Sequence, residues 1–307
     1  MTTASWAAGR RCLQIAARRR APLFQSPRVA SVNNFPGVRL LSSSSTQKYD
    51  EPVFENFEPK PPSPLTVDMA EGIASATQFY VRHGVAHQRL TKISQDDEMP
   101  AVIKWQKMME VFLTTQVHVI VGLGYGANEQ GLGQYAKDLA GVIESSDDTM
   151  RELFSDVRRD TWRDLVSTCF KIDKDDIPTL SIVDARNLMH KVSSKMIEPD
   201  TLLEIQTLTA KIEDSDPEVE VAKKHQLLQH VIVNRVYLGG NPSLVEEAGF
   251  GNGAQAYAKM QCAMSDHEGD PLIAQYASAA MMRIWEAAGL DISSIQGAGL
   301  PNAGATP

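Results

Sequence analysis

Residues Ala101–Lys137 read AVIKWQKMMEVFLTTQVHVIVGLGYGANEQGLGQYAK, and this stretch decides the fold class. Val102, Trp105, Met108, Met109, Phe112 and Leu113 recur at helical spacing, and Asp96-Asp97 and Pro100 precede them as start signals. From Val111 to Asn128 the chain carries no Asp, Glu, Lys or Arg. That run includes Gln116, His118 and three glycines, so it reads as a core helix ending in a glycine-rich turn and not as a bilayer span.

The stretch has an echo at Val221–Lys259, VAKKHQLLQHVIVNRVYLGGNPSLVEEAGFGNGAQAYAK. His118–Val121 returns as His230–Val233, Tyr135-Ala-Lys137 as Tyr257-Ala-Lys259, and Trp162 falls opposite Trp285. Upstream, Leu90-Thr91 and Pro100 face Leu208-Thr209 and Pro217. Collinear matches of this kind predict two internally duplicated helical halves, residues 66–190 and 191–290; two unrelated helical segments sharing common residues give the same pattern.

The chain of 307 residues is 43% hydrophobic and 22% charged, the balance of a globular protein with one substantial core or two smaller ones. Its three cysteines, Cys12, Cys169 and Cys262, have neither metal spacing nor a pairing pattern, which points to a reducing compartment. Residues 1–45 hold seven arginines, no acid and the run Ser42–Ser45. An Arg-rich, Ser-rich, acid-free start without an apolar core is the mark of a mitochondrial presequence, with Arg39-Leu40-Leu41 before the cleavage point; a basic tail or a chloroplast transit peptide is the alternative. Without that segment 23 basic residues face 38 acidic ones, a net charge near −15. Such a body repels phosphate backbones, so nucleic acid is not an expected partner.

Residues 46–65, TQKYDEPVFENFEPKPPSPL, carry five prolines and two phenylalanines, and read as an extended arm in which Phe54 and Phe57 are candidate anchors on a partner. From Thr66 a helical period begins. Further helices are expected over 150–170, 184–192, 199–212, 223–236 and 272–288, opened by Asp147-Asp148-Thr149 and by Asp270-Pro271 and closed at Gly289. The tail 291–307 is rich in Gly, Ala and Pro and reads as disordered. Few segments alternate with period two, so the body is expected to be all-α.

The most specific local pattern lies between two such helices. Asp173, Asp175, Thr179, Ser181 and Asp184 fall at positions 1, 3, 7, 9 and 12 of a twelve-residue loop, with Leu180 at position 8. Residues 214–225 offer a second one, with Asp214, Asp216, Glu218 and Glu220 at positions 1, 3, 5 and 7 and His225 at 12. Residues 162–236 thus resemble a degenerate EF-hand pair, and the resemblance implies helix-loop-helix units and Ca2+ candidates Asp173, Asp175, Thr179, Asp184, Asp214, Asp216, Glu218 and Glu220. The first loop departs from the pattern at Ile177, where an oxygen ligand is required, and at Pro178, where a glycine turns; the second has Pro217 at position 4.

Gly122, Gly124 and Ala127 satisfy the G-x-G-x-x-A dinucleotide fingerprint, with Glu144 beyond. The preceding segment is helical in period, a second glycine cluster interrupts the would-be following helix, and no strand-helix series follows. His83 and His87 sit four apart on an expected helix and could share a metal, but no Glu-x-x-His or cysteine cluster joins them. Cys169 and Cys262 read as core residues.

These readings lead to a non-catalytic accessory or scaffold subunit of a mitochondrial assembly, such as an inner-membrane respiratory complex or the ATP synthase. Its partners are other protein subunits, it lies in the matrix or peripherally on the matrix side of the inner membrane, and no cofactor is called for except possible Ca2+. The alternatives are a Ca2+-responsive matrix protein built on the Asp173 and Asp214 loops, and a nucleotide-dependent enzyme built on Gly122–Ala127.

Overall fold

The computed structural model describes residues 59–61 and 63–290, together with two three-residue strands nearer the N-terminus. The rest of the leader, arm residues 46–58 and the tail 291–307 lie outside the described residues. The two strands, β1 (Val29–Ser31) and β2 (Arg39–Leu41), pair antiparallel with Val29 opposite Leu41.

The body is all-α. Among the described residues eleven α-helices follow one another: α1 (Val67–His83), α2 (Val85–Ser94), α3 (Ala101–Val121), α4 (Glu129–Ser145), α5 (Asp148–Phe170), α6 (Ile182–Met196), α7 (Pro199–Thr209), α8 (Pro217–Val231), α9 (Leu244–Glu247), α10 (Gly253–Ser265) and α11 (Pro271–Ala287). A 3-10 turn (Lys174–Asp176) follows α5, and a π-helical segment (Ile232–Tyr237) follows α8. None of the described helices is long and apolar enough to cross a membrane. The described residues form two compact units, one of 59–89 and Met109–Thr161, the other of Leu90–Met108 and 162–290. These ranges interleave in sequence, whereas the sequence reading divides the chain once, near residue 190.

In the first unit, the arm unit, Thr66 caps α1 by accepting from the Met69 amide at 3.3 Å, the capping role that threonine fills at a helix start. Ala70, Ile73, Thr77 and Val81 repeat at helical spacing and are buried. The core that Ala70 and Ile73 join contains Leu65, Ile120, Tyr125, Leu132 and Tyr135. α1 stops at Gly84, where a Cβ would stand 2.7 Å from Tyr80 Cδ1. The expected continuous helix through His87 is therefore broken.

α4 corrects a second expectation, that the glycine cluster after residue 128 interrupts a helix. Asn128 accepts from the Gly131 amide at 2.9 Å and starts α4, which runs through Gly131, Gly133 and Gly141. Each interior glycine costs roughly 1 kcal/mol relative to alanine, and burial of Leu132, Tyr135 and Val142 offsets it. At Gly131 no other residue fits, because a Cβ would overlap the Gly126 carbonyl. The corner into α5 is closed by Arg151, whose guanidinium donates to Ile143 O at 3.1 Å and Glu144 O at 2.8 Å, satisfying carbonyls at the end of α4. Asp147 caps α5 through the Met150 amide at 2.9 Å.

In the second, larger unit, Trp105 of α3 stacks on Trp162 of α5 with centroids 6.1 Å apart and planes 3° from parallel, and meets Tyr257 of α10 edge-on. Leu188, Val192 and Met196 of α6 share a core with Ile273, Ala280 and Ile284 of α11. Arg186 grips Asp270 with two bonds, 3.1 and 2.7 Å, while the same carboxylate caps α11 through the Ile273 amide at 3.1 Å. Gly289, at φ +64, stands just past the end of α11 as expected. The two copies of His-Val-Ile-Val differ locally. His118–Val121 ends a regular helix, whereas Val231 closes α8 and Ile232 opens the π segment, in which the Leu238 amide donates to Val233 O at 3.0 Å.

Candidate functional site

The first EF-hand-like loop sits between α5 and α6, as a helix-loop-helix requires. α5 ends on Lys171 in the left-handed region at φ 55, a conformation usually left to glycine. The surroundings hold it there: the Lys171 amine pairs with Asp97 at 2.8 Å, and Gln255 Nε2 donates to Phe170 O at 3.0 Å and Lys171 O at 3.3 Å. Asp173 accepts from the Asp175 amide at 3.1 Å and so caps the 3-10 turn. Lys174 pairs with the buried Asp164, and Asp176 lies 3.8 Å from Lys259.

Ile177, at the position where the EF-hand pattern needs an oxygen, is 3% exposed and works as a core plug. Thr179 Oγ1 accepts from Arg163 at 3.2 Å. Ser181 caps α6 by accepting from the Asp184 amide at 3.1 Å, and its hydroxyl donates to the Asp184 carboxylate at 2.7 Å. Asp173, Asp175, Thr179 and Asp184 are all exposed. Asp173 thus serves a local amide, Thr179 a guanidinium and Asp184 a hydroxyl.

The second loop is largely helix. α8 begins at Pro217, six residues ahead of the start expected at 223, and absorbs loop positions 4 to 12. The reason is local: proline at the first helical position has its φ already set and no amide to satisfy, and Glu220 places negative charge near the positive end of the helix. Asp214 accepts from the Asp216 amide at 3.0 Å and pairs with Lys223 at 2.7 Å, which holds its carboxyl below the usual range. Glu220 pairs with Lys224 one turn on at 2.6 Å, with the same effect on its acidity. Among the described residues no group of three or more His, Cys, Asp or Glu side chains is placed to hold a metal ion.

The glycine-rich turn after α3 has a different use from a phosphate cradle. Val117–Val121 is helix, and among the described residues no parallel sheet stands before it, so the dinucleotide fingerprint lacks the strand it needs. The turn instead receives the chain's own arm. The Lys60 amide donates to Gly124 O at 2.8 Å. Gly124 has φ +96, and a Cβ there would collide with the Lys60 carbonyl. Gly126 faces the ring of Pro59, with a Cβ position 3.6 Å from its Cγ. Beneath the turn Tyr125 is buried and donates to Asp138 at 2.9 Å, and burial followed by that bond pushes its phenol up. The sequence held both halves of this seat, a Pro-Lys-Pro segment and a G-x-G turn, but nothing in either names the other.

His83 ends α1 with its ring 5.6 Å from that of Phe79, and His87 lies on α2, so the two do not share a helix. Cys169 and Cys262 are buried, and burial pushes both thiols up to about 12. At that value neither is a thiolate near neutral pH. His118, edge-on to Tyr80 at 5.5 Å, has its pKa lowered by burial.

No family model, curated protein or solved structure matches this chain.

Proposed function

We propose that this chain is a non-catalytic accessory subunit of a mitochondrial assembly, held by its Pro-rich arm and helical body to other protein subunits. The observation that carries this reading is the backbone bond from Lys60 to Gly124. It fixes the end of the arm to the body at a glycine that accepts no side chain, so the stretch just upstream, with Phe54 and Phe57, starts from a fixed point. Aromatic anchors on an extended segment are a frequent means of binding, because they bury a large apolar area for few torsions.

Two further facts support the reading. The groups the sequence offers for chemistry have structural work: Asp173 and Ser181 cap, Asp214 and Glu220 pair with lysines, and the thiols are buried. Large apolar side chains also stand exposed, Val183 at 58% and Leu203 at 62%. The cationic leader supports a mitochondrial address, matrix or inner-membrane surface on the matrix side.

The test is native electrophoresis of gently solubilised mitochondria with the chain tagged at its C-terminus. Migration in a large assembly, with subunits that co-purify, supports the proposal. Migration only at the size of the free chain defeats it.

A Ca2+-responsive reading is kept because α5, the Asp173 loop and α6 do form a helix-loop-helix with Asp173 and Asp175 exposed. Titration calorimetry with Ca2+ separates the two. Saturable heat that Asp173→Ala removes favours the sensor, and no heat at millimolar Ca2+ removes it.

A further inference from the structure

The chain contains a single Asn-Gly step, Asn252-Gly253, at the start of α10. Asn252 is exposed and occupies the N-cap, yet its side chain makes no capping bond. The contrast is within the same molecule: Asn128, which caps α4, has its side-chain oxygen bonded to the Gly131 amide at 2.9 Å and is followed by Glu129. Gly253 is the first residue of its helix, so its N–H belongs to the donors that a helix leaves without an internal acceptor. Gly253 has φ +75, and no atom lies within 4 Å of the place where a Cβ would stand. Upstream, Gly249 at φ +82 and Gly251 at φ +90 are equally open at their Cβ positions, on either side of the buried Phe250.

We propose that Asn252 is a site of spontaneous backbone-assisted deamidation, and that its product alters the start of α10. Hydroxide removes the Gly253 amide proton, and the nitrogen attacks the side-chain carbonyl carbon of Asn252. A new C–N bond closes a five-membered imide while the bond to the amide nitrogen breaks, and that nitrogen leaves as ammonia with a proton from solvent. Water then opens the imide at either carbonyl and leaves aspartate or isoaspartate. The net change is one water in and one ammonia out, with no oxidant or reductant. Closure requires the Asn252 ψ to leave its extended value of 149°, and no side-chain bond opposes that rotation.

The two products act differently. Aspartate puts a carboxylate at the positive end of α10, where it is stabilising. Isoaspartate adds a methylene to the main chain at the cap. The first turn of α10 carries Gln255, whose amide holds Phe170 O and Lys171 O at 3.0 and 3.3 Å, so isoaspartate loosens the end of α5.

The experiment is peptide mapping of the folded full-length chain after incubation in mildly alkaline and in mildly acidic buffer. Labelling by an isoaspartyl methyltransferase is read in parallel. The expected result is amide-to-acid conversion at Asn252 before any other asparagine, faster in the alkaline buffer, with the methyl label on the same peptide and lost in Asn252→Ser. Asn252→Asp is expected to fold and to gain the label more slowly than the parent chain, because an Asp-Gly step closes the same imide with loss of water. Conversion first at another asparagine, or an Asn252 amide that outlasts the incubation unchanged, overturns the proposal.

Discussion

At the scale of single residues, glycines of one sequence pattern have opposite demands placed on them. Gly124 combines φ +96 with a Cβ position inside the Lys60 carbonyl, so Gly124→Val is expected to lose about 1–3 kcal/mol from backbone strain alone. It also frees the arm, read as faster proteolysis at Lys60. Gly133 lies inside α4, exposed, with nothing within 4 Å of a Cβ. Gly133→Ala is therefore expected to stabilise by roughly 0.5–1 kcal/mol in urea unfolding. The sequence marked both as a glycine cluster, because φ and close approach are set by what arrives from elsewhere in the chain. Asp270 gives a pH prediction. Arg186 holds its carboxyl down to about 2, below the ordinary 3.8, so its contribution is complete above the ordinary value and is lost as pH falls toward 2. Asp270→Asn should flatten that acid limb in a melting-temperature series. An unchanged limb would show that other carboxylates set it.

At the scale of elements, the helices were legible where a cap and an apolar stripe coincide. Thr66, Asp147 and Asp270-Pro271 each opened a helix close to the residue expected, and α3 occupies its expected Ala101–Val121. Boundaries failed where two signals competed. Around Pro217, four acids at alternate positions resembled a loop, yet proline starts a helix well. The π segment at Ile232–Tyr237 had no warning, since its sequence repeats one that is regular in α3. Ile177 looked like a fault in a Ca2+ loop because burial is invisible to spacing. The α4–α5 corner makes a test at this scale. Arg151→Ala removes two bonds to the last carbonyls of α4 and should cost roughly 1 kcal/mol, with faster amide exchange at the corner.

At the scale of the molecule, the all-α class was readable from period. The units interleave because α3 and α5 each contribute residues to both, and no composition shift marks such a boundary. The larger unit should depend on its aromatic centre. Trp105 touches Trp162, Phe170 and Tyr257, and Trp105→Ala is expected to destabilise by about 3–5 kcal/mol, seen as a lower urea midpoint. The proposed role rests on the arm being fixed at Gly124 and on a partner that takes what lies upstream. Native electrophoresis of the tagged full-length chain beside its Gly124→Val form measures both. The proposal predicts a large assembly for the parent chain and a shift toward the free chain for the variant. A parent chain that runs only as a free monomer contradicts it.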